Sequence, residues 1–193
     1  MISVNLVLAS GSPRRRQLLA SIGLACEVAP VDIDETPRDG EGPVDYARRL
    51  AAEKLAAALE RHAPDRLVLA ADTVVALDET ILGKPADAGD AAGMLQRLSG
   101  RTHQVHTAVA AGRGAQAAFR LSRSEVTFRD LSQTEIDAYV ASGEPLDKAG
   151  AYGIQGLAAI FVTHLSGSYS GVVGLPLCET ADLLHSFAVE VLP

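Results

Sequence analysis

LASGSPRRRQLL, residues 8–19, forms the junction on which the predicted fold depends. The apolar run over 4–9 predicts a buried strand. Ser12 followed by Pro13 is typical of a helix N-cap and a first helical residue. A strand that passes into a helix through a short loop is the repeating unit of α/β proteins, so this stretch predicts an α/β fold.

The helix start carries three consecutive arginines, Arg14, Arg15 and Arg16. Free N–H groups already make a helix N-terminus electropositive, so cations there are unfavourable unless an anion binds between them. A phosphate would accept bidentate hydrogen bonds from arginine. Since successive helical residues point about 100° apart, the three side chains cannot all face one site, and we expect Arg16 to be solvated. The alternative is a basic surface turn that pairs with the acidic loop after residue 31.

The rest of the chain alternates between apolar runs and helical segments. Besides a first helix over 13–23, the pattern predicts helices over 45–62, 90–100, 131–143 and 176–187. It predicts strands over 25–30, 66–77 and 157–167, and a hairpin formed by 103–112 and 117–128. Loops are expected over 31–43, 79–87, 147–156 and 167–176. This order favours one α/β domain over residues 1–193, with a mixed, twisted sheet and flanking helices.

Composition narrows the possible functions. The 193 residues are 48% hydrophobic, enough for a sizeable core, and the formal net charge is −7. This acidic balance argues against a nucleic acid polymer as partner, whereas a small anionic ligand needs only a few converging cations. The two cysteines, Cys26 and Cys178, favour a reducing cytosol over a disulfide framework or zinc site. With no signal peptide and no apolar run of membrane-spanning length, we expect a soluble cytoplasmic protein.

One carboxylate is conspicuous because it lies inside an apolar strand. Asp72, in LVLAADTVV, is costly there unless it is paired or binds a metal. At the carboxyl end of the strand it would face the ligand crevice of an open α/β sheet. The alternative is an aspartate that caps the following turn, but the apolar surroundings favour a functional role. Thr73 would point to the opposite face of the strand.

Further charged residues are candidates for a phosphate and metal site. Asp32, Asp34 and Glu35 cluster on the acidic loop, as ligands of hard cations often do, although an ordinary solvated loop gives the same pattern. Lys54 lies on the long helix, where a solvated surface lysine is the commoner case. Lys84 lies between glycine and proline, in a constrained turn that can present its ammonium group to phosphate; the spacing of a P-loop is absent.

The segment KAGAYGIQG, residues 148–156, is rich in glycine. Its glycines would let the backbone approach a ligand closely, and Gln155 offers a donor and an acceptor for the edge of a base or sugar. Tyr152 would either stack on a base or fill the edge of the core. The alternative is a flexible surface loop. From the residues alone, these features indicate a nucleotide or phosphate-ester site with a divalent metal.

Taken in order, the motifs resemble those of the Maf family of nucleoside triphosphate pyrophosphatases, nearly from end to end. They are LASGSPRR (8–15), DE (34–35), LAAEK (50–54), ADTVV (71–75), LGKP (82–85), LSG with an H-x-V-x-T-like stretch (98–107), DKAGAYGIQG (147–156) and VVGLPL (172–177). AGAYGIQG followed by GSYS looks like the subfamily that acts on dTTP and UTP, not the one that acts on 7-methyl-GTP. Gly89, Gly93 and Gly171 look like local variation away from the site.

The resemblance implies a Maf/ITPase-like fold, with two lobes around a central cleft, and a homodimer. It implies hydrolysis of nucleoside triphosphates between the α and β phosphates with Mg²⁺ or Mn²⁺, as house-cleaning of nucleotide pools. By position it assigns catalysis to Asp72, Glu35, Lys54 and Lys84, with Asp72 as proton acceptor and Glu35 and Asp72 as metal ligands. It assigns substrate binding to Ser10, Arg14, Arg15, Thr73 and Gln155, of which Arg14, Thr73 and Gln155 match positions tied to base choice.

Two alternatives stay open at this point. A purine pyrophosphatase of the inosine-triphosphate type would perform the same chemistry on other bases. A non-catalytic nucleotide-binding regulator, for example of cell division, would bind nucleotide without turnover, although the intact set of acids and lysines argues against it.

Overall fold

The computed structural model describes residues 5–192, so Val4 and the ends of the predicted domain lie outside the described residues. The strands are β1 (Leu6–Leu8), β2 (Glu27–Val28), β3 (Leu67–Leu77), β4 (Thr80–Leu82), β5 (Thr102–Arg113), β6 (Gln116–Phe128) and β7 (Val162–Ser166). The α-helices are α1 (Pro13–Ser21), α2 (Pro43–Leu59), α3 (Ala88–Leu98), α4 (Gln133–Ala141), α5 (Tyr169–Val173) and α6 (Leu177–His185). Short 3-10 helices cover Glu144–Asp147, Ala149–Ala151 and Leu157–Phe161. Within this range, no helix is both long and apolar enough to span a membrane.

The strands form one mixed sheet. Its order is β2-β1-β3-β5-β6-β7, and β4 pairs with β3 as well. β1 pairs in parallel with β2 and β3, whereas the other pairs are antiparallel. The predicted hairpin is confirmed as β5 and β6, and α1 begins at Pro13 after the N-cap Ser12, as predicted. The mixed α/β class is therefore confirmed.

β3 is buried along both faces because helices cover the sheet from both sides. Val68, Ala70 and Val74 pack in a cluster with α2, whose contact face is mostly alanine. These small side chains let the helix approach the sheet closely. The intervening Leu67 and Leu69 pack in a second cluster, with side chains of α1 and α6. Side chains therefore alternate between the two helical layers along β3.

The molecule has two lobes that share the long strands β3 and β5. The two clusters just described form the core of the first lobe. A third cluster, which includes Val75, Leu95, Phe128 and Phe161, lies under α3, α4 and the 3-10 helices and forms the core of the second lobe. The predicted architecture of two lobes is confirmed.

A gap along one edge of β3 positions the candidate site. β1 pairs with residues 67–69 of this edge, and β4 pairs with residues 75–77. Within the described chain, no strand covers residues 70–74 between them. The strand predicted over 66–77 is confirmed as β3, and Asp72 lies in its interior, at this gap, rather than at its carboxyl end. The gap arises because the neighbouring strand β1 ends at Leu8. Leu8 pairs with Leu69, three residues before Asp72.

Three local predictions are wrong. Residues 80–82, expected in a loop, form β4, because the chain folds back antiparallel onto the end of β3. The strand expected over 157–167 begins only at Val162, and the apolar run before it is a 3-10 helix; a short apolar run does not distinguish these structures. The loop expected over 167–176 contains α5, whose N-cap Ser168 accepts a hydrogen bond from the Gly171 N–H at 3.0 Å.

Candidate active site

The gap in β3 opens into a cleft of about 950 Å³ between the two lobes. This volume is at the upper end of the range for small-molecule sites. The cleft is lined by every residue that the sequence assigns to catalysis or substrate binding: Ser10, Arg14, Arg15, Glu35, Lys54, Asp72, Thr73, Lys84 and Gln155. The structure therefore brings together residues from six separate motifs into one site.

Lysine is concentrated in this cleft. The chain contains only Lys54, Lys84 and Lys148, and all three line it. With Arg14 and Arg15 the lining carries five cations against four carboxylates, so the cleft has a slightly positive balance on a molecule whose net charge is −7. A cleft of this kind attracts a polyanionic ligand such as a triphosphate.

Lys54 lies at the charged centre of the site. Its Nζ donates to Asp72 Oδ1 at 2.5 Å and forms an ion pair with Glu35 Oε1 at 2.6 Å. Asp72 points toward α2, which carries Lys54, and is only 8% exposed. The predicted surface alternative for Lys54 is therefore wrong, and Asp72 is paired, as its burial requires.

Among the acidic residues of loop 31–43, only Glu35 lines the cleft. Burial by itself would raise the pKa of Glu35, but the hydrogen bond and charge of Lys54, with the charges of Lys84 and Arg15, outweigh it and lower that pKa. Glu35 is thus ionised at neutral pH. The Tyr46 hydroxyl of α2 donates to the Glu35 backbone carbonyl at 2.6 Å and holds this part of the loop against the helix.

Arg15 joins three parts of the first lobe. Its Nε donates to the Gly174 carbonyl at 2.8 Å, Nη1 to Ser10 Oγ at 2.9 Å and Nη2 to Thr73 Oγ1 at 3.3 Å. Burial lowers the pKa of this guanidinium, while the charge of Asp72 raises it. Arginine remains a cation under these conditions, and each Nη retains a second N–H for a ligand.

The other two arginines of the triplet differ in position. Arg14 is half-buried and lines the cleft, whereas Arg16 is exposed and lies outside the lining. The expectation that the three side chains diverge is confirmed. The basic-turn alternative, in which the triplet pairs with the acidic loop, has no ion pair to support it among residues 5–192.

The glycine-rich segment 147–156 forms the far wall of the cleft. Gly150 has φ 69°, donates its N–H to the Gly83 carbonyl at 3.0 Å, and packs so tightly that a Cβ would lie 2.8 Å from Val75 Cγ1. The Tyr152 hydroxyl lies 2.8 Å from His103 Nε2 in the aromatic core. The segment is therefore anchored rather than flexible, and Tyr152 fills the core edge.

Three side chains of the site are free to meet a ligand. Arg14, Lys84 and Gln155 line the cleft, and none of them has a hydrogen bond or ion pair within the described part of the chain. Arg14 lies on α1 in the first lobe, and Gln155 belongs to the glycine-rich wall of the second lobe. The two lobes thus each present an unpaired polar side chain to the cleft.

The metal-ligand candidates of the acidic loop are only partly brought to the site. Asp32 and Asp34 are exposed and do not line the cleft; Asp34 Oδ1 instead accepts from the Thr36 N–H at 2.9 Å. In residues 5–192, no group of three or more His, Cys, Asp or Glu residues could hold a metal ion. The acidic ligands available in the cleft near Lys54 are Glu35 and Asp72.

Residues 5–187 match the family model described as Maf-like protein. The chain belongs to the Maf-like protein family. Relatives named dTTP/UTP pyrophosphatase include one from Chromobacterium violaceum, 52% identical with 95% of both chains covered. Another, from Methylococcus capsulatus, is 56% identical, with 94% of this chain and 90% of its own covered.

One solved structure has a distant likeness to this Maf-like chain. The Ham1 protein of Staphylococcus aureus is 15% identical and has a TM-score of 0.48, with 95% of this chain and 97% of its own covered.

Sequence reasoning missed two residues that support this Maf-like site, Tyr46 and Thr107. Tyr46 fixes the Glu35 loop. Lys148, from the predicted glycine-rich segment, lines the cleft and donates to Asp147 Oδ1 at 2.6 Å. Thr107 donates to the Gly171 carbonyl at 2.8 Å and lies 3.0 Å from Thr73 Oγ1. Gly171 thus contacts Thr107, and it is not among the residues that line the cleft. The H-x-V-x-T-like stretch contained the signal for Thr107.

Proposed function

We propose that this chain hydrolyses pyrimidine nucleoside triphosphates, dTTP and UTP above all and modified pyrimidine nucleotides besides, between the α and β phosphates. The products are a nucleoside monophosphate and pyrophosphate, and the role is to clean nucleotide pools. The observation that carries the proposal is the convergence of Glu35 and Asp72 on Lys54 in the gap of the sheet. The names of the relatives support the choice of dTTP and UTP.

The proposed chemistry needs a group that accepts the proton of the attacking water and groups that neutralise the charge on the leaving pyrophosphate. Asp72 orients a water and accepts its proton while the water oxygen attacks the α-phosphorus in line with the bond to the leaving pyrophosphate. That P–O bond breaks, and negative charge grows on the pyrophosphate. Arg15, Lys54 and Lys84 neutralise this charge, which is the dominant requirement in phosphoryl transfer.

The remaining polar residues of the cleft are proposed to bind the substrate and to select its base. Arg14, Thr73 and Gln155 would meet the base and sugar, and Ser10 would bind beside Arg15. Support comes from position: Arg14 lies in the first turn of α1, Thr73 lies in the gap of β3 and Gln155 lies on the opposite wall. A nucleotide bound between them would contact both lobes.

The cofactor proposed is a divalent cation, Mg²⁺ or Mn²⁺, held by Glu35 and Asp72. Two carboxylate oxygens already gather around one cation in this cleft, the ammonium of Lys54. Mg²⁺ commonly binds one or two carboxylates and completes its shell with substrate phosphates and water, so the residues present fit it. When bound, the ion would lower the pKa of a water and screen phosphate charge.

We also propose one domain over residues 1–193, a homodimer and a cytoplasmic location. One sheet runs through both lobes, which supports a single domain. Leu157 and Ile160 expose 57% and 67% of their surface, more than is usual for such side chains, and a partner subunit would cover them. Light scattering after gel filtration should give twice the monomer mass, and Ile160→Lys should shift the mass toward the monomer.

A nucleotide panel tests the activity. With Mn²⁺, the purified protein should release pyrophosphate from dTTP and UTP faster than from CTP, ITP or GTP. Asp72→Asn should lose turnover yet keep its melting temperature, whereas Asp78→Asn, an exposed aspartate at the end of the same strand, should retain activity. Faster hydrolysis of ITP would support the purine alternative. Tight binding without turnover under any metal would support a regulator, and release of orthophosphate would contradict the proposed bond cleavage.

A further inference from the structure

A carboxylate in the wall of a cleft that binds a triphosphate is unfavourable unless it has a role of its own. Glu144 is such a residue: it is half-buried and lines the cleft together with Gln155. Because like charges repel, its negative charge opposes the binding of an anionic substrate. Its contacts indicate a different role, which is to support the chain around Gln155.

The Glu144 carboxylate holds the chain on both sides of Gln155. Its Oε2 accepts a hydrogen bond from the Leu157 N–H at 3.0 Å. Its Oε1 accepts from the Tyr139 hydroxyl at 2.9 Å, and that hydroxyl in turn accepts from the Gly153 N–H at 3.2 Å. One carboxylate therefore fixes the chain shortly before and shortly after Gln155.

The turn that carries Gln155 leaves space for this carboxylate. The Gly156 N–H donates to the Gly153 carbonyl at 2.9 Å, which closes a turn with Gln155 at its third position. A Cβ at Gly156 would overlap the Glu144 carboxylate, so glycine allows the two to approach. The Gln155 side chain itself is exposed and has no hydrogen bond within residues 5–192. The backbone of Gln155 is thus supported while its amide is left for a ligand.

Glu144 is itself fixed by its backbone and by the core of the second lobe. Its N–H donates to Ser142 Oγ at 3.2 Å, and its carbonyl accepts from Lys148 Nζ at 2.5 Å. Tyr139, which links the carboxylate to the turn, is 4% exposed and packs edge-on against Phe161. The support is therefore continuous with a packed core, which is rigid on the time average.

We propose that Glu144 is a positioning residue: through Leu157 and Tyr139 it fixes the backbone of Gln155, so that the amide of Gln155 meets the base of the nucleotide. Fixing this backbone before the ligand arrives reduces the entropic cost of binding. The inference rests on the proposed function, in which Gln155 meets the base and sugar. It explains why a carboxylate lies in a cleft that binds anions.

Product inhibition tests this role, because UMP carries the base and pyrophosphate does not. In Glu144→Ala, the inhibition constant of UMP should rise about tenfold, the effect of one hydrogen bond, whereas that of pyrophosphate should not rise. Loss of the negative charge favours both anions, so weaker inhibition by UMP cannot result from charge. Glu144→Gln keeps an acceptor for the Leu157 N–H and should give a smaller rise. Asp137→Ala is the matched control: it removes an exposed carboxylate of α4 outside the lining and should change neither constant.

A double-mutant cycle provides the second readout. Since Glu144→Ala acts through Gln155, it should raise the inhibition constant of UMP by no more than about twofold when Gln155→Ala is already present. Tyr139→Phe keeps the proposal testable if Glu144→Ala does not fold. It retains the ring, removes the link to Gly153, and should weaken inhibition by UMP without weakening inhibition by pyrophosphate.

An inhibition constant of UMP that stays unchanged in Glu144→Ala, or that rises together with the constant of pyrophosphate, would overturn the inference and leave the proposed activity intact. Effects that add fully in the double variant, or an unchanged constant in Gln155→Ala, would do the same. A wild-type protein that releases pyrophosphate from no nucleotide would instead refute the proposed function, and the inference with it.

Discussion

Lys54 is the residue on which the charge balance of the cleft depends. It holds two carboxylates, and its hydrogen bond and charge are the strongest influences that lower the pKa of Glu35 against the opposing effect of burial. Lys54→Gln removes both influences, so the pKa of Glu35 should rise. Since Glu35 must be ionised, the acid limb of the profile of kcat/KM against pH should move to higher pH.

The control for this experiment is Arg48→Gln. Arg48 is an exposed cation on the same helix, outside the lining of the cleft. Its loss should leave the acid limb in place. An acid limb that stays fixed in Lys54→Gln would show that Glu35 is not the group that titrates.

The arginine triplet gives a second prediction at this scale. Arg15 makes three side-chain hydrogen bonds at the cleft, whereas Arg16 is exposed outside it. Arg15→Ala should lower kcat/KM for UTP about 100-fold, the order expected for removal of a group that stabilises growing charge. Arg16→Ala should stay within about twofold, since surface substitutions seldom matter. Equal effects would contradict the division of roles within the triplet.

The residues of the site were predictable where their chemistry is unusual for their position. Asp72 inside an apolar strand and Arg15 at a helix start are unfavourable without a partner, and the sequence reveals that conflict. Thr107 and Tyr46 were not predictable, because a threonine in a strand or a tyrosine in a helix is unremarkable. Their roles depend on strand register and on loop packing, which pairs of distant residues decide.

At the scale of elements, the glycine-rich wall 147–156 is held by the buried pair of His103 and Tyr152. Burial lowers the pKa of His103 to about 4, from 6.5 in an exposed state. Between these values the unfolded chain binds a proton that the folded chain refuses, so stability falls as pH falls. From pH 7 to pH 5 the free energy of unfolding should decrease by about 2 kcal/mol through this group.

Urea unfolding at pH 7 and pH 5 measures this effect. His103→Asn should reduce the difference between the two free energies, whereas His164→Asn, at an exposed histidine of β7, should leave it as in the wild type. An unchanged difference in His103→Asn would mean that another group is responsible.

Elements were predicted well where their pattern is long and poorly where it is short. The eleven residues of β3, the hairpin and the capping box of α4 each carry a clear local signal. β4 and α5 span three and five residues, and neither has a pattern of its own. β4 exists because the end of β3 offers an open edge, and α5 because Thr107 and Arg15 bind the backbone around it.

At the scale of the whole molecule, a nucleotide in the cleft would join two lobes that are otherwise linked mainly by β3 and β5. Asp72→Asn allows UTP itself to be used as a ligand without turnover. UTP at about 100 times its dissociation constant should raise the free energy of unfolding by about 2.7 kcal/mol. Hydrogen exchange should slow in α1 and in residues 147–156 together, and protection confined to one lobe would contradict a site between them.

The fate of the water oxygen tests the central claim most directly. UTP hydrolysed by the wild-type protein with Mn²⁺ in water enriched in heavy oxygen should give UMP and pyrophosphate, with the heavy atom in the phosphate of UMP. This result would place the attack at the α-phosphorus, beside Asp72. Heavy oxygen in pyrophosphate, or release of orthophosphate, would contradict the account.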